Sequence, residues 1–387
     1  MVAVRGHEYT VHVKPGMAAF YERDGPETLL ADTMEITRGE NVLVLNDPTG
    51  LASVIAASLA CPGNVFSASS NLLEVEAIRR TVESAGGDRV HIFHSSGTRG
   101  LDRLPDVDVA VARLPKGKLA TLQTIRDAYL ALRPGGRVYL AGSNDEGVQS
   151  ALKRVGGQFG AIEVLAYRHG SRVARAVKPE PAPPLIKELA DPLLEPDHLH
   201  QYEVRVRDQS ILVRSRPGAF GWEALDDGTR ALVEAMEIRP GESILDLGCG
   251  TGVVGVLAAR LSGTGRAYLV DADISAVESA QATVAANEAP HCVVKASDVG
   301  SAIRDQRFDV VVANPPFHVG RSVETDVARA FIADAAALLD HGGRLYLVAN
   351  SFLPYEHTIS VSFAGCTKLC DDRRYKVLLG RKGARPR

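Results

Sequence analysis

Short apolar runs alternate with longer stretches of helical periodicity along most of this chain. In the carboxy-terminal half the runs fall at 244–247, 267–270, 310–312 and 344–348. Helical patterns fill the intervals at 253–261, 276–287 and 327–339. Continuous runs rich in β-branched residues predict strands buried on both faces, and the intervening helices must then cover the sheet. The expected fold is α/β, with a doubly wound, mostly parallel sheet. Ligands of such sheets sit outside the carboxyl ends of the strands, so chemistry is expected where strands run out into loops.

The same pattern occurs twice. Lys14-Pro15-Gly16 is matched by Arg216-Pro217-Gly218 at an offset of 202 residues. That offset recurs for Met34-Glu35-Ile36 with Met236-Glu237-Ile238, Gly39-Glu40 with Gly241-Glu242, and Thr49-Gly50 with Thr251-Gly252. It becomes 201 between 108–112 and 309–313, and 207 between Gly135-Gly136-Arg137 and Gly342-Gly343-Arg344, a drift that small loop insertions explain. The first copy keeps its strand runs at 42–45, 109–111 and 138–140. Between the copies, residues 179–184 read Pro-Glu-Pro-Ala-Pro-Pro, and Pro192 and Pro196 follow. Such a composition disfavours helix and sheet. The expected organisation is a first domain over 1–178, a Pro-rich linker over 179–196 and a second domain over 197–387.

Composition narrows the setting. A chain of 387 residues, 45% hydrophobic and 24% charged, is long enough for two cores. Five scattered cysteines argue against a disulfide framework, and Cys366 and Cys370, which could share a helical turn, have no nearby partners for a metal. No metal site is expected. No stretch approaches the roughly 20 apolar residues of a spanning helix, and the amino terminus lacks a signal-peptide core. A monomeric, cytoplasmic protein without membrane contact is the expectation. The net charge of −3 excludes general coating of nucleic acid by charge, so any RNA contact must be local. Arg373, Arg374, Lys376, Arg381, Lys382, Arg385 and Arg387 make the carboxy-terminal segment basic, either as a solvated end or as a footprint for phosphate.

The strand at 244–247 runs into Asp246-Leu247-Gly248-Cys249-Gly250-Thr251-Gly252 and then a helix. Alternate glycines let a ligand lie against the backbone. The next strand ends at Val270-Asp271, where an acid can accept both hydroxyl hydrogens of a ribose. Nicotinamide and flavin loops read G-x-G-x-x-G, whereas this one reads D-x-G-x-G-x-G. That form resembles motif I of class I methyltransferases, whose cofactor is S-adenosyl-L-methionine. The resemblance implies cofactor contacts at Asp246, Gly248, Cys249, Gly250, Gly252, Asp271, Ala272 and Asn314. It also implies an adenine-contacting acid in Ser297-Asp298, where the bland alternative is a solvated turn or helix cap. Pro217-Gly218-Ala219-Phe220 and Leu225-Asp226-Asp227-Gly228-Thr229 look like a segment covering the cofactor, or else a hairpin followed by a capped helix.

The fourth strand, 308–313, leads into Asn314-Pro315-Pro316-Phe317. An exocyclic amine conjugated to a ring or carbonyl is a poor nucleophile. The Asn314 side-chain oxygen and the Pro315 carbonyl could accept its two N–H groups and aim its lone pair at a methyl donor, with Phe317 stacking on the base. A base inside a duplex could not reach such a site, so the target must be single-stranded, looped or flipped out. The tetrapeptide resembles the [DNS]-P-P-[YF] motif of adenine-N6, guanine-N2 and glutamine-N5 methyltransferases. With its extension His318-Val319-Gly320 and Asn350-Ser351-Phe352-Leu353-Pro354-Tyr355 downstream, the chain resembles the bacterial ribosomal RNA guanine-N2 methyltransferases, the small-subunit type above the large-subunit type. Those carry two tandem Rossmann-like methyltransferase domains, the first degenerate, and act on ribosomal RNA or the small ribosomal subunit. Competing readings are a protein glutamine-N5 methyltransferase and a non-catalytic RNA-binding assembly protein.

The first copy departs from this pattern. It has Val44 opposite Asp246, Asn46 opposite Gly248, Pro48 opposite Gly250, Ser69 opposite Asp271 and Arg113 opposite Asn314. Only Gly50 is kept among these determinants. The first domain is therefore expected to be inactive and to orient RNA, with Arg113 suited to pairing with phosphate.

Overall fold

The computed structural model describes residues 1–14, 17, 25–101, 104–316 and 321–383, except for the side chains of 321–325. Pro15, Gly16, Phe317, His318, Arg385 and Arg387 lie outside the described residues. The chain divides into two compact units, Met1–His198 and Leu199–Arg387.

The first unit contains β1 (Val2–Val4), β2 (His7–Tyr9), α1 (Pro26–Thr33), β3 (Val42–Leu45), α2 (Leu51–Ala60), β4 (Val65–Ser69), α3 (Leu72–Ser84) and β5 (Val90–His94). It continues with β6 (Val107–Arg113), α4 (Lys118–Ala131), β7 (Leu132–Ser143), α5 (Val148–Phe159), β8 (Ile162–Arg168) and β9 (Ser171–Val177). Its sheet has seven strands in the order β5-β4-β3-β6-β7-β9-β8. The first five are parallel, and β9 and β8 close the edge as an antiparallel pair.

The second unit begins with a hairpin, β10 (His200–Val206) and β11 (Gln209–Ser215), followed by α6 (Asp227–Ala235). Then come β12 (Ile244–Leu247), α7 (Val253–Ser262), β13 (Ala267–Asp271), α8 (Ile274–Ala286), β14 (Cys292–Ala296) and β15 (Phe308–Ala313). Last are α9 (Arg321–Leu338), β16 (Leu339–Asn350), α10 (Tyr355–Ser362), β17 (Cys366–Asp371) and β18 (Tyr375–Arg381). The sheet order, β14-β13-β12-β15-β16-β18-β17, repeats that of the first unit strand for strand. All four residues of β12 are buried, as a strand flanked by parallel neighbours and covered by helices requires.

Each unit has an apolar cluster on either side of its sheet. The two are also pinned alike by polar contacts. Arg137 pairs with Glu40 and Arg344 with Glu242, both at 2.7 Å. Asp108 accepts the Asn41 N–H as Asp309 accepts that of Ser243, and the Thr81 and Thr283 hydroxyls each accept one backbone N–H at 3.1 Å. The repeat seen in sequence is thus a repeat of supporting side chains as well as of elements.

Two expectations need correction. Residues 179–196 are not a free linker. Leu189 and Leu194 are buried in the core of the first unit, the Tyr129 hydroxyl donates to the Pro183 carbonyl, and Arg126 donates to that of Leu194. Proline content reports what the backbone avoids, and says nothing of the groove that two leucines fill. Cys366 and Cys370 lie on β17 rather than on a helical turn. All five cysteines are free, no metal-binding group of side chains occurs among the described residues, and no helix there is long and apolar enough to cross a membrane.

Candidate active site

The sheet order reverses at β12, whose neighbours are β13 and β15, and this is where a crevice opens at the carboxyl edge. Asp246 sits inside β12 and is buried; its Oδ2 accepts the N–H of Gly255 in the first turn of α7 at 2.8 Å. The loop beyond is laced to β13. The Gly248 and Cys249 N–H groups both donate to the Val270 carbonyl, and the Gly250 N–H donates to Asp271 Oδ2 at 2.9 Å. Gly250 and Gly252 both have positive φ, 52° and 81°, for different reasons. A Cβ on Gly252 would stand 3.0 Å from the Ala280 backbone, so helix packing demands that glycine. A Cβ on Gly250 would face the Phe220 carbonyl at 3.3 Å, so that glycine keeps the cleft open under the 216–226 segment.

Two carboxylates lie close together here. Burial, with a contribution from the charge of Asp271, pushes Asp246 up to about 7. Asp271 is pushed up to about 6, again chiefly by burial, although the N–H groups of Asp273 and Gly250 oppose the shift. The same burial and the two acids drive the Cys249 thiol well above its usual range. Such a pair favours a ligand that brings positive charge or hydroxyl donors. Ala272 follows Asp271, half-buried, at the same edge. Ser297 is buried, and its hydroxyl is used within its own loop, donating to the Val299 carbonyl and accepting from the Ala302 N–H. Asp298 stands beside it, half-buried, just past β14.

Asn314 follows the last residue of β15. Its Nδ2 donates to the Thr229 hydroxyl at 2.9 Å and to Asp226 Oδ2 at 3.4 Å. Asp226 is the N-cap of α6, and its Oδ2 also accepts the Thr229 N–H and the Thr229 hydroxyl. These contacts fix which way the amide faces. A carboxylate only accepts, and the Thr229 hydroxyl spends its proton on Asp226, so the amide must present its N–H groups to both. Its Oδ1 is then left buried without a hydrogen-bond partner among the described residues. A buried acceptor open in this way is suited to receive an N–H from a bound amine. Pro315, buried, and Pro316, exposed, offer no N–H to fill it.

Asn314, Asp246, Gly248, Cys249, Gly250 and Thr251 line one cleft of about 410 Å³ together with Tyr202, Phe220, Asp226 and Thr229. The wall opposite the loop comes from the hairpin and its exit, where the Tyr202 hydroxyl donates to the Gly221 carbonyl at 2.5 Å. Of the readings raised for 217–229, the capped helix is present, with Asp226 as its N-cap, while 217–225 is a series of turns that follows the β10–β11 hairpin; Asp226 also touches the Asn314 amide. Thr229 and Tyr202 carry parts of the site that motif reading missed. The signal for Thr229 was its place three residues after Asp226.

In the first unit the equivalent space is about 210 Å³, lined by Glu27, Asp47, Pro48 and Arg113 among others. Arg113 was expected to be available to phosphate; it is not. Its guanidinium is held by Glu27 and by Glu146, the latter at 2.7 Å, and the pairing outweighs burial to raise its pKa further. Ser69 donates to Glu74 at 2.6 Å, and Asn46, at φ 56°, is tied to the Arg113 carbonyl and the Thr124 hydroxyl.

A reversing parallel sheet with a glycine loop after one central strand and an acid after the next is the frame of class I S-adenosylmethionine-dependent methyltransferases, and this chain is one. Residues 210–379 match the family model described as "Methyltransferase small domain". The chain belongs to the family of ribosomal RNA small subunit methyltransferase C. It is 32% identical to that protein of Pseudomonas aeruginosa (strain UCBPP-PA14) over 274 residues, 70% of this chain and 79% of the relative. With that of Escherichia coli O9:H4 (strain HS) it shares 32% over 281 residues, 71% and 76% of the two chains. The solved structure described as the T. thermophilus 16S rRNA N2 G1207 methyltransferase in complex with AdoMet and guanosine superposes with a TM-score of 0.79 at 29% identity, covering 97% of this chain and 98% of that one. Both units are therefore shared with it, and the tandem Rossmann-like architecture expected from the repeat is the one found.

Proposed function

We propose that this chain methylates the exocyclic N2 amine of a guanine in 16S ribosomal RNA. The observation that carries the reading is the Asn314 amide, whose orientation is fixed from behind by Thr229 and Asp226 and whose oxygen has no donor among the described residues. A guanine N2 amine supplies the missing N–H. The Pro315 carbonyl takes the second, and with both hydrogens held the nitrogen lone pair stands out of the ring plane. S-adenosylmethionine would supply an electrophilic methyl on a sulfonium: the N–CH3 bond forms as the S–CH3 bond breaks, the cofactor leaves as the thioether, and the methylated nitrogen gives up one proton to solvent.

The residues fit that donor. Asp246 and Asp271 provide two raised carboxylates for the cationic end and the ribose hydroxyls, Gly248, Cys249 and Gly250 provide the backbone of the loop against which the cofactor lies, with Gly252 shaping its entry into α7, and Ala272 and Asp298 border the same edge beyond β13 and β14. Ser297 serves by shaping the loop that carries Asp298. Phe317 is assigned base stacking from its place in the tetrapeptide. The first unit, with Arg113 and Glu27 filling the corresponding space, has no catalytic part. The similarity to a protein described as acting on N2 of a 16S rRNA guanine supports the choice of base and atom.

The test is to incubate purified protein and S-adenosylmethionine with small ribosomal subunits from cells lacking the activity, then map modified nucleosides by mass spectrometry. One N2-methylguanosine at a single 16S position is expected. Modification of a protein glutamine, or of 23S RNA alone, would overturn the reading.

A further inference from the structure

Large apolar side chains left in water at a ligand edge need a reason, and Phe352 is the extreme case, with 75% of its surface exposed. It sits in the turn after β16, next to β15 in the sheet, where Ala313 pairs with Leu347. β16 runs three residues beyond Leu347, so this turn leaves the same carboxyl edge as Asn314 on the adjacent strand, but further out along it. The turn is firmly held. The Ser351 N–H donates to the Arg374 carbonyl, the Ser351 hydroxyl donates to Asp371 Oδ1, and Leu353 and Tyr355 on either side of Pro354 are buried. Phe352 and Pro354 are turned out, and Phe352 is the large apolar one.

Beside it is the β17–β18 connection. Arg373 has φ 75°, and the turn is fixed by Asp371 and Asp372, which accept the N–H groups of Arg373, Arg374 and Tyr375. Both acids are spent on this backbone, and Asp371 also on Lys368. The Arg374 guanidinium stacks over the Tyr375 ring at 5.3 Å and reaches Asp227, whose neighbour Asp226 touches the Asn314 amide. Arg374 remains 69% exposed, so its charge is available at the rim. Lys376, two residues on, contributes nothing, being buried against Glu356.

The first unit supplies a control for this edge. At the offset of 207, Asp145 occupies the place of Phe352. Arginines flank the turn in both copies, Arg168 and Arg172 around the β8–β9 turn of the first, with Arg172 stacked over the Tyr167 ring at 4.4 Å, so what sets the second copy apart at this edge is the exposed phenylalanine in place of an acid.

We propose that Phe352, Arg373 and Arg374 form a docking surface for the RNA strand flanking the target guanine, the ring stacking on an adjacent unpaired base and the guanidiniums meeting its phosphates. This rests on the function proposed above. Sequence-tolerant stacking holds the strand while the guanine turns into the cleft.

The experiment compares wild type, Phe352→Ala, Phe352→Trp and Arg373→Ala/Arg374→Ala with protein-free 16S RNA and with small subunits, each lacking the modification. Phe352→Ala is expected to raise KM for both substrates about tenfold, with kcat and S-adenosylmethionine affinity unchanged, and Phe352→Trp to restore KM. The arginine pair is expected to flatten the salt dependence of RNA affinity. A wild-type KM in Phe352→Ala, a loss of cofactor affinity in parallel, or an effect confined to assembled subunits, which would mean a protein contact, would each overturn the docking surface. If wild type itself modifies neither substrate, the underlying function fails instead.

Discussion

The two units share a sheet order, two apolar layers and an Arg–Glu pair at matching positions, yet one has an open cleft and the other a plugged one. Beyond the altered loop residues, the difference shows most directly in one couple of side chains. In the second unit a neutral amide, Asn314, meets a hydroxyl, Thr229, and an acceptor is left over. At the same two positions the first unit has Arg113 and Glu27, a cation and an anion that saturate each other, with Glu146 completing the cluster. Complete satisfaction of polar groups stabilises a fold, and an unsatisfied one invites a substrate. A scaffold supports either, and side chains at the strand ends decide between them.

The comparison breaks most sharply at Asn314. Replacing it with Ala removes the open acceptor, and kcat for methyl transfer should fall on the order of 10²–10³-fold with cofactor affinity unchanged by calorimetry. A mutant that keeps most of its turnover would show that the amide is not what aligns the amine. The mirror experiment is Arg113→Ala in the first unit, which strands Glu27 and Glu146 without a counter-charge. It should cost about 3 kcal/mol in denaturant unfolding of that unit and leave a stoichiometry of one S-adenosylmethionine per chain. A second bound cofactor would mean the plug was all that kept the first unit empty.

Thr229→Val tests the orienting contact with a smaller expected effect. With the hydroxyl gone, the amide keeps only the long contact to Asp226 and can turn over, so kcat should drop about tenfold, and Thr229→Ser should restore it. The smallest effect is on pH. Asp246 at about 7 and Asp271 at about 6 are neutral below those values. Cofactor affinity should therefore weaken several-fold between pH 8 and pH 6, as the carboxylates take up protons. The ligand-free fold should show the opposite trend. Its raised carboxyls bind protons more tightly than the unfolded chain does, so their contribution to stability is lost as pH rises from about 4 through 7. Asp246→Asn should flatten both profiles; an unchanged affinity profile in that variant would remove Asp246 from cofactor binding.

Much of this was legible before any coordinates. The run at 244–247 marks the strand that carries the loop, and 308–313 the strand that delivers Asn314, because burial on both faces leaves a mostly apolar signature interrupted only by Asp246 and Asp309. The repeat offset located the plug position as well. What escaped depends on contacts distant in sequence. Thr229 meets a residue 85 positions later, and no local pattern announces that. For Ser297, placed with Asp298 among the cofactor contacts, the contact is local instead: its hydroxyl closes its own loop on the Val299 carbonyl. Lys376 counted as surface charge until Glu356 covered it. The linker failed similarly, since Leu189 and Leu194 weigh little in a composition dominated by proline.

The cluster around Arg113 also bears on how a duplicated domain ages. Restoring an asparagine at 113 in one step would leave two carboxylates facing each other in a nearly closed space, and removing either acid first would leave the guanidinium short of a partner. Every single-substitution path back toward an open acceptor therefore crosses a less stable protein. The loss acts as a ratchet: once the three charges were in place, drift elsewhere in the first unit was free to continue, while this corner became one of its most entrenched.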